Sequence, residues 1–318
     1  MSSIAHHPLF SRLDSAERVL IAGCGGGFDI YCGLPLALVL RSLGKHVSLA
    51  NLTFASPRTA EGADLICEGL VAVDDSCSSA SRYFPELYLA HWLRPQGLPT
   101  TVYCLERTGV APLMRAYRTL IDREAIDVAV LVDGGTDALM RGDEAGLGTP
   151  HEDVASLLAL DGCQIEAYLA CLGFGIDAFH GVCHAHFLEN TAALTKSGAF
   201  LGAFSLLPTQ DEVRKYLSAV DFATQLAPGH ASIVNTSIAA AVRGEFGDHH
   251  STARTQGSEL FINPLMAMYW CYELRPVVER LLYKDPLLAT ETWTDVIRIV
   301  EGLRKALEGT RPRKDIPC

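Results

Sequence analysis

Short apolar runs alternate with longer amphipathic stretches along the chain. Residues 18–22 (RVLIA) predict a buried strand, and a glycine-rich turn follows at Gly23, Gly25, Gly26 and Gly27. Residues 29–43 carry a helical pattern that stops at Gly44, a residue suited to the left-handed position after a helix. Residues 46–53 (HVSLANLT) read as a second strand, so the chain opens with a β-α-β unit. The alternation goes on with a strand at 101–105, a helix at 111–123 and a strand at 127–132 (DVAVLV), which is the clearest buried parallel strand of the sequence. A Gly/acid loop then leads to a helix at 150–160 and a strand at 165–172. Further helices are expected near 186–196, 211–224, 233–243, 265–282 and 294–307.

Strands alternating with helices predict an α/β protein with a mostly parallel sheet covered on both faces. We read it as a Rossmann-like three-layer fold with a helical C-terminal part. Residues 1–318 form one domain in this reading, with a sub-boundary conceivable near 198–208. No internal repeat or low-complexity linker interrupts the chain. The aromatic and thioether run of Met266, Met268, Tyr269, Trp270 and Tyr272 is expected to pack as a helix against the sheet.

Composition narrows the function classes. Hydrophobic residues make up 49% and charged residues 20%, which supplies a large core and argues against disorder. The net charge is -11 and the densest basic stretch is confined to 311–314, so a nucleic-acid partner is disfavoured. No apolar run reaches the length of a membrane span, and residues 1–12 lack the apolar core of a signal peptide. A cytoplasmic protein without a membrane partner is expected. The ten cysteines form no C-x-x-C pair, and buried free thiols are the expected state.

Four segments carry candidate chemistry. Gly25, Gly26 and Gly27 precede Asp29 at the start of the first long helix. Glycines permit a sharp turn and close approach of a ligand, and a helix N-terminus attracts anions. A dinucleotide fingerprint would need glycine where Phe28 stands and an acid near the end of the second strand, where Asn51 and Thr53 stand. Asp29 would repel a bare phosphate, so this loop reads as a ligand loop with a metal, amine or hydroxyl contact. A helix cap with a tight turn is the simpler alternative.

The second segment follows the strand at 127–132 and holds Asp133, Asp137, Asp143 and Glu144 among glycines. Active sites of open α/β sheets lie at the carboxyl ends of strands. Oxygen-rich clusters suit Mg2+ or Mn2+, and paired carboxylates suit general acid/base work. A solvated loop with Asx turns would need fewer acids. The third segment places His184 and His186 close to Glu189 and Asn190, either as a metal or base site or as interior histidines. In the fourth, Arg254 with Thr255 and Ser258 can clamp a phosphate or carboxylate, or form an ordinary ion pair with Glu259. His249 and His250 read as exposed loop residues and residues 77–81 as a loop; no G-x-S-x-G elbow is present.

The strings GGGFDIY at 25–31, DGGTDALMRGDEAGLGTPHED at 133–153, SIVNTSIAAAVRGEFG at 232–247 and RTQGSELFINPLMA at 254–267 resemble domain-of-unknown-function family 1152 over most of the chain. That resemblance implies no catalytic residue. The spacing of Gly142, Asp143, Glu144, Gly146 and Gly148 is similar to a Gly/acid loop of D-glutamate cyclases, which implies a lyase as one option.

The expected function is therefore a divalent-metal-assisted hydrolase or lyase acting on a small anionic metabolite. The metal is expected at Asp133 and Asp137 with help from Asp29. Asp143 or Glu144 serves as acid/base, His184 as a reserve base, and Arg254 holds the anionic part of the substrate. The alternatives are a nucleotide-binding or sensing module without catalysis, and a subunit of a larger assembly. A homo-oligomer is compatible with any of these.

Overall fold

The computed structural model describes residues 6–257 and 260–316. Eleven strands occur among them: β1 Arg18–Gly23, β2 His46–Thr53, β3 Asp64–Cys67, β4 Leu70–Val73, β5 Val102–Glu106, β6 Val128–Gly134, β7 Glu166–Leu172, β8 Phe200–Ser205, β9 Gly247–Asp248, β10 Phe261–Ile262 and β11 Met268–Glu273. The helices are α1 Pro8–Leu13, α2 Asp29–Ser42, α3 Pro85–Leu93, α4 Val110–Glu124, α5 Pro150–Asp161, α6 His184–Lys196, α7 Asp211–Leu226, α8 Ile233–Val242, α9 Leu274–Val278, α10 Lys284–Leu287 and α11 Trp293–Ala306.

Nine strands form one sheet in the order β3-β4-β5-β2-β1-β6-β7-β11-β8, while β9 and β10 pair separately. The five central strands β5, β2, β1, β6 and β7 are mutually parallel. The edges are antiparallel, through β3–β4–β5 on one side and β7–β11–β8 on the other. Alternating side chains of the central strands feed two cores. Val19, Ile21, Val130 and Val132 pack with Tyr31, Leu87, Tyr216 and Ile238 from α2, α3, α7 and α8. Leu20, Ala22, Ala129 and Leu131 pack with Leu120, Leu157, Phe187, Val278 and Val296 from α4, α5, α6, α9 and α11. These are the three layers expected from the β/α alternation. The nine described cysteines are free thiols, most of them buried. No helix among the described residues is long and apolar enough to cross a membrane.

One element differs from the sequence reading. The stretch expected to be a helix over 265–282 instead holds a 3-10 turn, then β11, then the short α9. Tyr269 and Cys271 point into one core and Trp270 and Tyr272 into the other. A strand buried on both faces is apolar at every position, so its period is masked, and the aromatic content of MYWCYE favours the strand. The conceivable sub-boundary at 198–208 contains β8, which pairs with β11 inside the main sheet.

The central strand order reverses between β1 and β6, whose following connections run to opposite faces and leave a crevice at their carboxyl ends. Close approach of α2 to β1 narrows its base. A Cβ on Gly33 would lie 2.5 Å from Ile21 Cγ2, so only glycine lets the helix sit there.

Candidate active site: an acidic cleft at the sheet reversal

Three strand ends and one helix start build the cleft. After β1 the chain turns through Gly26 (φ +85) and Gly27 (φ +59), left-handed conformations that favour glycine. The Gly27 N–H donates to Leu52 O at 3.1 Å, and Asn51 Nδ2 donates to Gly27 O at 2.7 Å. This turn delivers Asp29 at the first position of α2. Its Oδ2 accepts the Gly25 N–H at 2.7 Å. A phosphate cradle would need that same N–H, so the loop is already committed to a carboxylate.

Asp133 is the next-to-last residue of β6, and its Oδ2 accepts the Ala138 N–H at 3.3 Å. Asp137 follows, and its Oδ2 accepts from the Thr149 N–H at 2.8 Å and the Thr149 hydroxyl at 3.2 Å. The loop after β7 brings Asp177, which accepts from the Thr136 N–H at 2.5 Å and the Thr136 hydroxyl at 3.2 Å. Glu152 and Asp153 arrive on the first turn of α5, where the helix dipole favours acids.

These six carboxylates line a cavity of about 470 Å³. Oxygens of Asp29, Asp133 and Asp153 all lie within 4.8 Å of one another. Gly25 makes room for two of them: a Cβ there would fall 2.7 Å from Asp153 Oδ1 and 2.9 Å from Asp29 Oδ2. Asp153 is 2% exposed, yet its Oδ1 finds no hydrogen-bond partner among the described residues. A buried carboxylate oxygen without a partner costs free energy unless something else satisfies it.

Burial and mutual repulsion raise the whole group. Burial first, then neighbouring acids, hold Asp133, Asp153 and Asp177 well above the usual carboxylate range. Burial also raises Asp29 and Asp137, against the pull of the backbone N–H groups they accept from. Glu152 is raised by burial too, while Arg107 at 3.7 Å pulls it back. Facing the acids are Phe54, Tyr83, His230, Ser232 and Arg254.

Asp29, Asp133, Asp137, Arg254 and Gly25, Gly26 and Gly27 thus line one cleft. Asp143, Glu144 and His184 do not line it. Asp143 accepts from Arg311 Nε at 3.0 Å, and the fully buried Glu144 accepts from Arg311 Nη2 at 2.6 Å and from the N–H groups of Arg141 and Gly142. Arg304 ties down the same loop through the carbonyls of Glu144 and Ala145, each at 2.7 Å. Both acids therefore serve a strap that pins residues 142–145 from the C-terminal side. His184 begins α6 with its ring 5.1 Å from that of Phe174 and lines a separate hollow with Arg313 and Lys314, and burial lowers its pKa. His186 sits 3.0 Å from the Pro312 carbonyl. His249 and His250 lie near Glu245 and Asp248. Ser258 and Glu259, considered as partners of Arg254, lie outside the described residues.

Sequence reasoning missed Asp153 and Asp177 as cleft residues. Asp153 resembles an ordinary helix-start acid, and Asp177 stands alone in its loop. The rule that strand carboxyl ends carry the site would have reached Asp177 had it been applied after β7 as well as after β1 and β6.

Behind the glycine turn lies Glu86, fully buried in the first turn of α3. Its Oε1 accepts from Asn51 Nδ2 at 2.7 Å, and burial raises its pKa from the usual 4.5 to about 7. A raised acid favours the folded state below its unfolded pKa and loses that contribution as pH climbs through the folded value. Stability should fall by about 3 kcal/mol between pH 4.5 and 7 through this group alone. Glu86→Gln should flatten that part of the curve in chemical denaturation; an unchanged slope would rule the assignment out.

Over residues 20–298 the chain matches a family model described as "Protein of unknown function (DUF1152)". No curated protein and no solved structure matches it.

Proposed function

Because the chain belongs to the DUF1152 family of unknown function, its chemistry has to be read from the cleft, and we propose a cytoplasmic, divalent-metal-assisted hydrolase or lyase acting on a small anionic metabolite. The observation that carries this is Asp153 Oδ1, buried, without a partner among the described residues, and set beside Asp29 and Asp133. Three carboxylates brought this close repel one another unless a cation or protons intervene. Hard oxygen ligands suit Mg2+ or Mn2+.

Asp29, Asp133 and Asp153 hold the cation in this reading. When bound, it supplies Lewis-acid polarisation of a carbonyl or phosphoryl oxygen, or acidifies a water. Asp137 is fixed by Thr149 and Asp177 by Thr136, and both are lifted above the usual carboxylate range. They are the cleft groups suited to exchange a proton with substrate, in place of Asp143, Glu144 and His184, which the fold uses elsewhere. Arg254 lines the same cleft and holds the substrate's anionic group.

A nucleotide bound to the glycine loop without metal would have to displace Asp29 from the Gly25 N–H and approach six carboxylates. The test is thermal unfolding of EDTA-treated protein with Mn2+ or Mg2+ added. Cation at roughly 100 times its dissociation constant should add about 2.7 kcal/mol of stability, and Asp133→Asn should abolish the gain. Stabilisation by nucleotide in EDTA, with none by Mn2+, would overturn the proposal.

A further inference from the structure

We infer that the cleft takes an oxyanion carried on a flat apolar body, the oxyanion lying between the acid-held cation and Arg254, and the body lying against Phe54 and Tyr83. This deepens the proposed function and rests on its cation site.

The charge distribution comes first. The six carboxylates share the cavity lining with Arg254 and with Ser232, Ile233 and Val234 at the start of α8. Arg254 Nη1 donates to Ala231 O at 3.0 Å, which anchors the guanidinium beside the Ser232 cap. No carboxylate among the described residues pairs with it, and it is exposed to the cleft side. A guanidinium next to a ten-residue helix's N-terminus favours an anion there. The buried, partnerless Asp153 Oδ1 in the same cavity independently calls for a cation. A ligand that satisfies both groups is an oxyanion coordinated by the cation and clamped by the guanidinium.

The apolar part follows from Gly27. A Cβ at that position would lie 2.8 Å from the Tyr83 hydroxyl and 3.2 Å from the Phe54 ring, so the glycine lets both rings close in over the loop. Phe54 is 39% exposed and lines the cavity together with the six carboxylates. The Arg107 guanidinium lies 4.8 Å above the Phe54 ring centre, and Tyr83 makes edge contacts with Phe28 at 5.7 Å and His230 at 5.9 Å. Rings held this way form a stacking surface with little entropy left to lose. A bare inorganic ion would need no such surface. The cavity of about 470 Å³ is within the range for a small organic ligand.

The experiment is calorimetric titration of the full chain loaded with Mn2+, using inorganic phosphate, phenyl phosphate, acetate and phenylacetate as probes. Each ring-bearing probe that fits should bind at least about tenfold tighter than its ringless counterpart. The better of phenyl phosphate and phenylacetate identifies the oxyanion as phosphate or carboxylate. Arg254→Ala should weaken that probe by roughly tenfold or more while leaving Mn2+ affinity unchanged, and Arg254→Lys should recover part of it. Phe54→Ala should bring the ring-bearing probe down to its ringless counterpart; Phe54→Leu, which keeps the bulk, covers a folding defect. Normal Mn2+ binding with no ring preference, or no effect of Arg254→Ala, overturns this inference and leaves the cation site standing. Failure to bind Mn2+ overturns both.

Discussion

Asp153→Asn should make the cation-free protein more stable and remove its response to Mn2+. The two effects have one origin. Asp153 is buried among Asp29, Asp133 and Asp137, and one of its oxygens has no partner among the described residues. Neutralising it removes both a burial penalty and repulsion from three neighbours, a gain on the order of 1–3 kcal/mol. The same change removes one of three cation-binding carboxylates. Sites arranged for function commonly carry such a stability cost, and relieving it abolishes the function. Paired melting curves in EDTA and in excess Mn2+ would read both effects. An Asp153→Asn protein that melts lower in EDTA would mean that the carboxylate is structural.

Arg311→Ala should cost about 3 kcal/mol, a large loss for one substitution outside the cleft. Arg311 reaches Asp143, Glu144 and Glu189, and Glu144 is 0% exposed. Truncating the arginine strands that carboxylate with only the N–H groups of Arg141 and Gly142 and the Asn190 amide as partners. Its backbone reinforces the contact, with Arg311 N–H donating to Asp143 O at 2.7 Å and Ala145 N–H to Arg311 O at 2.9 Å. Adding Glu144→Gln to Arg311→Ala should recover part of the loss, because the stranded charge is then gone. Urea denaturation of the single and double variants gives the numbers. A loss below about 0.5 kcal/mol for Arg311→Ala would reduce the contact to a surface pair.

The opening β1–α2–β2 unit was legible because its apolar runs, Asp29 and Gly44 each agree with the element they occupy. The central strand β6 was legible for the same reason. β11 was not, since burial on both faces erases the period by which strand and helix are told apart. In the candidate site, Asp29, Asp133 and Asp137 could be placed from their position after β1 and β6. Asp143 and Glu144 share the same loop and the same composition, yet they turn away to meet Arg311, a partner far along the chain. No local pattern distinguishes an acid that lines a cleft from one that anchors a loop. Asp153 shows the converse: it looks like a helix-start acid and becomes a cleft residue because α5 begins at the sheet reversal.

The strap also sets a timetable. Arg311 and Glu144 are 167 positions apart, and Arg304 and Ala145 are 159 apart. At roughly 5–20 residues per second of synthesis, the loop leading into Thr149 and α5 waits about ten to thirty seconds for the residues that pin it. During that interval Glu144 lacks its cationic partner, and the loop that ends in Thr149, the anchor of Asp137, lacks its clamp. The five parallel strands are complete by Leu172 and can pair earlier, so a nascent chain can form the middle of its sheet well before its acidic cleft is secured.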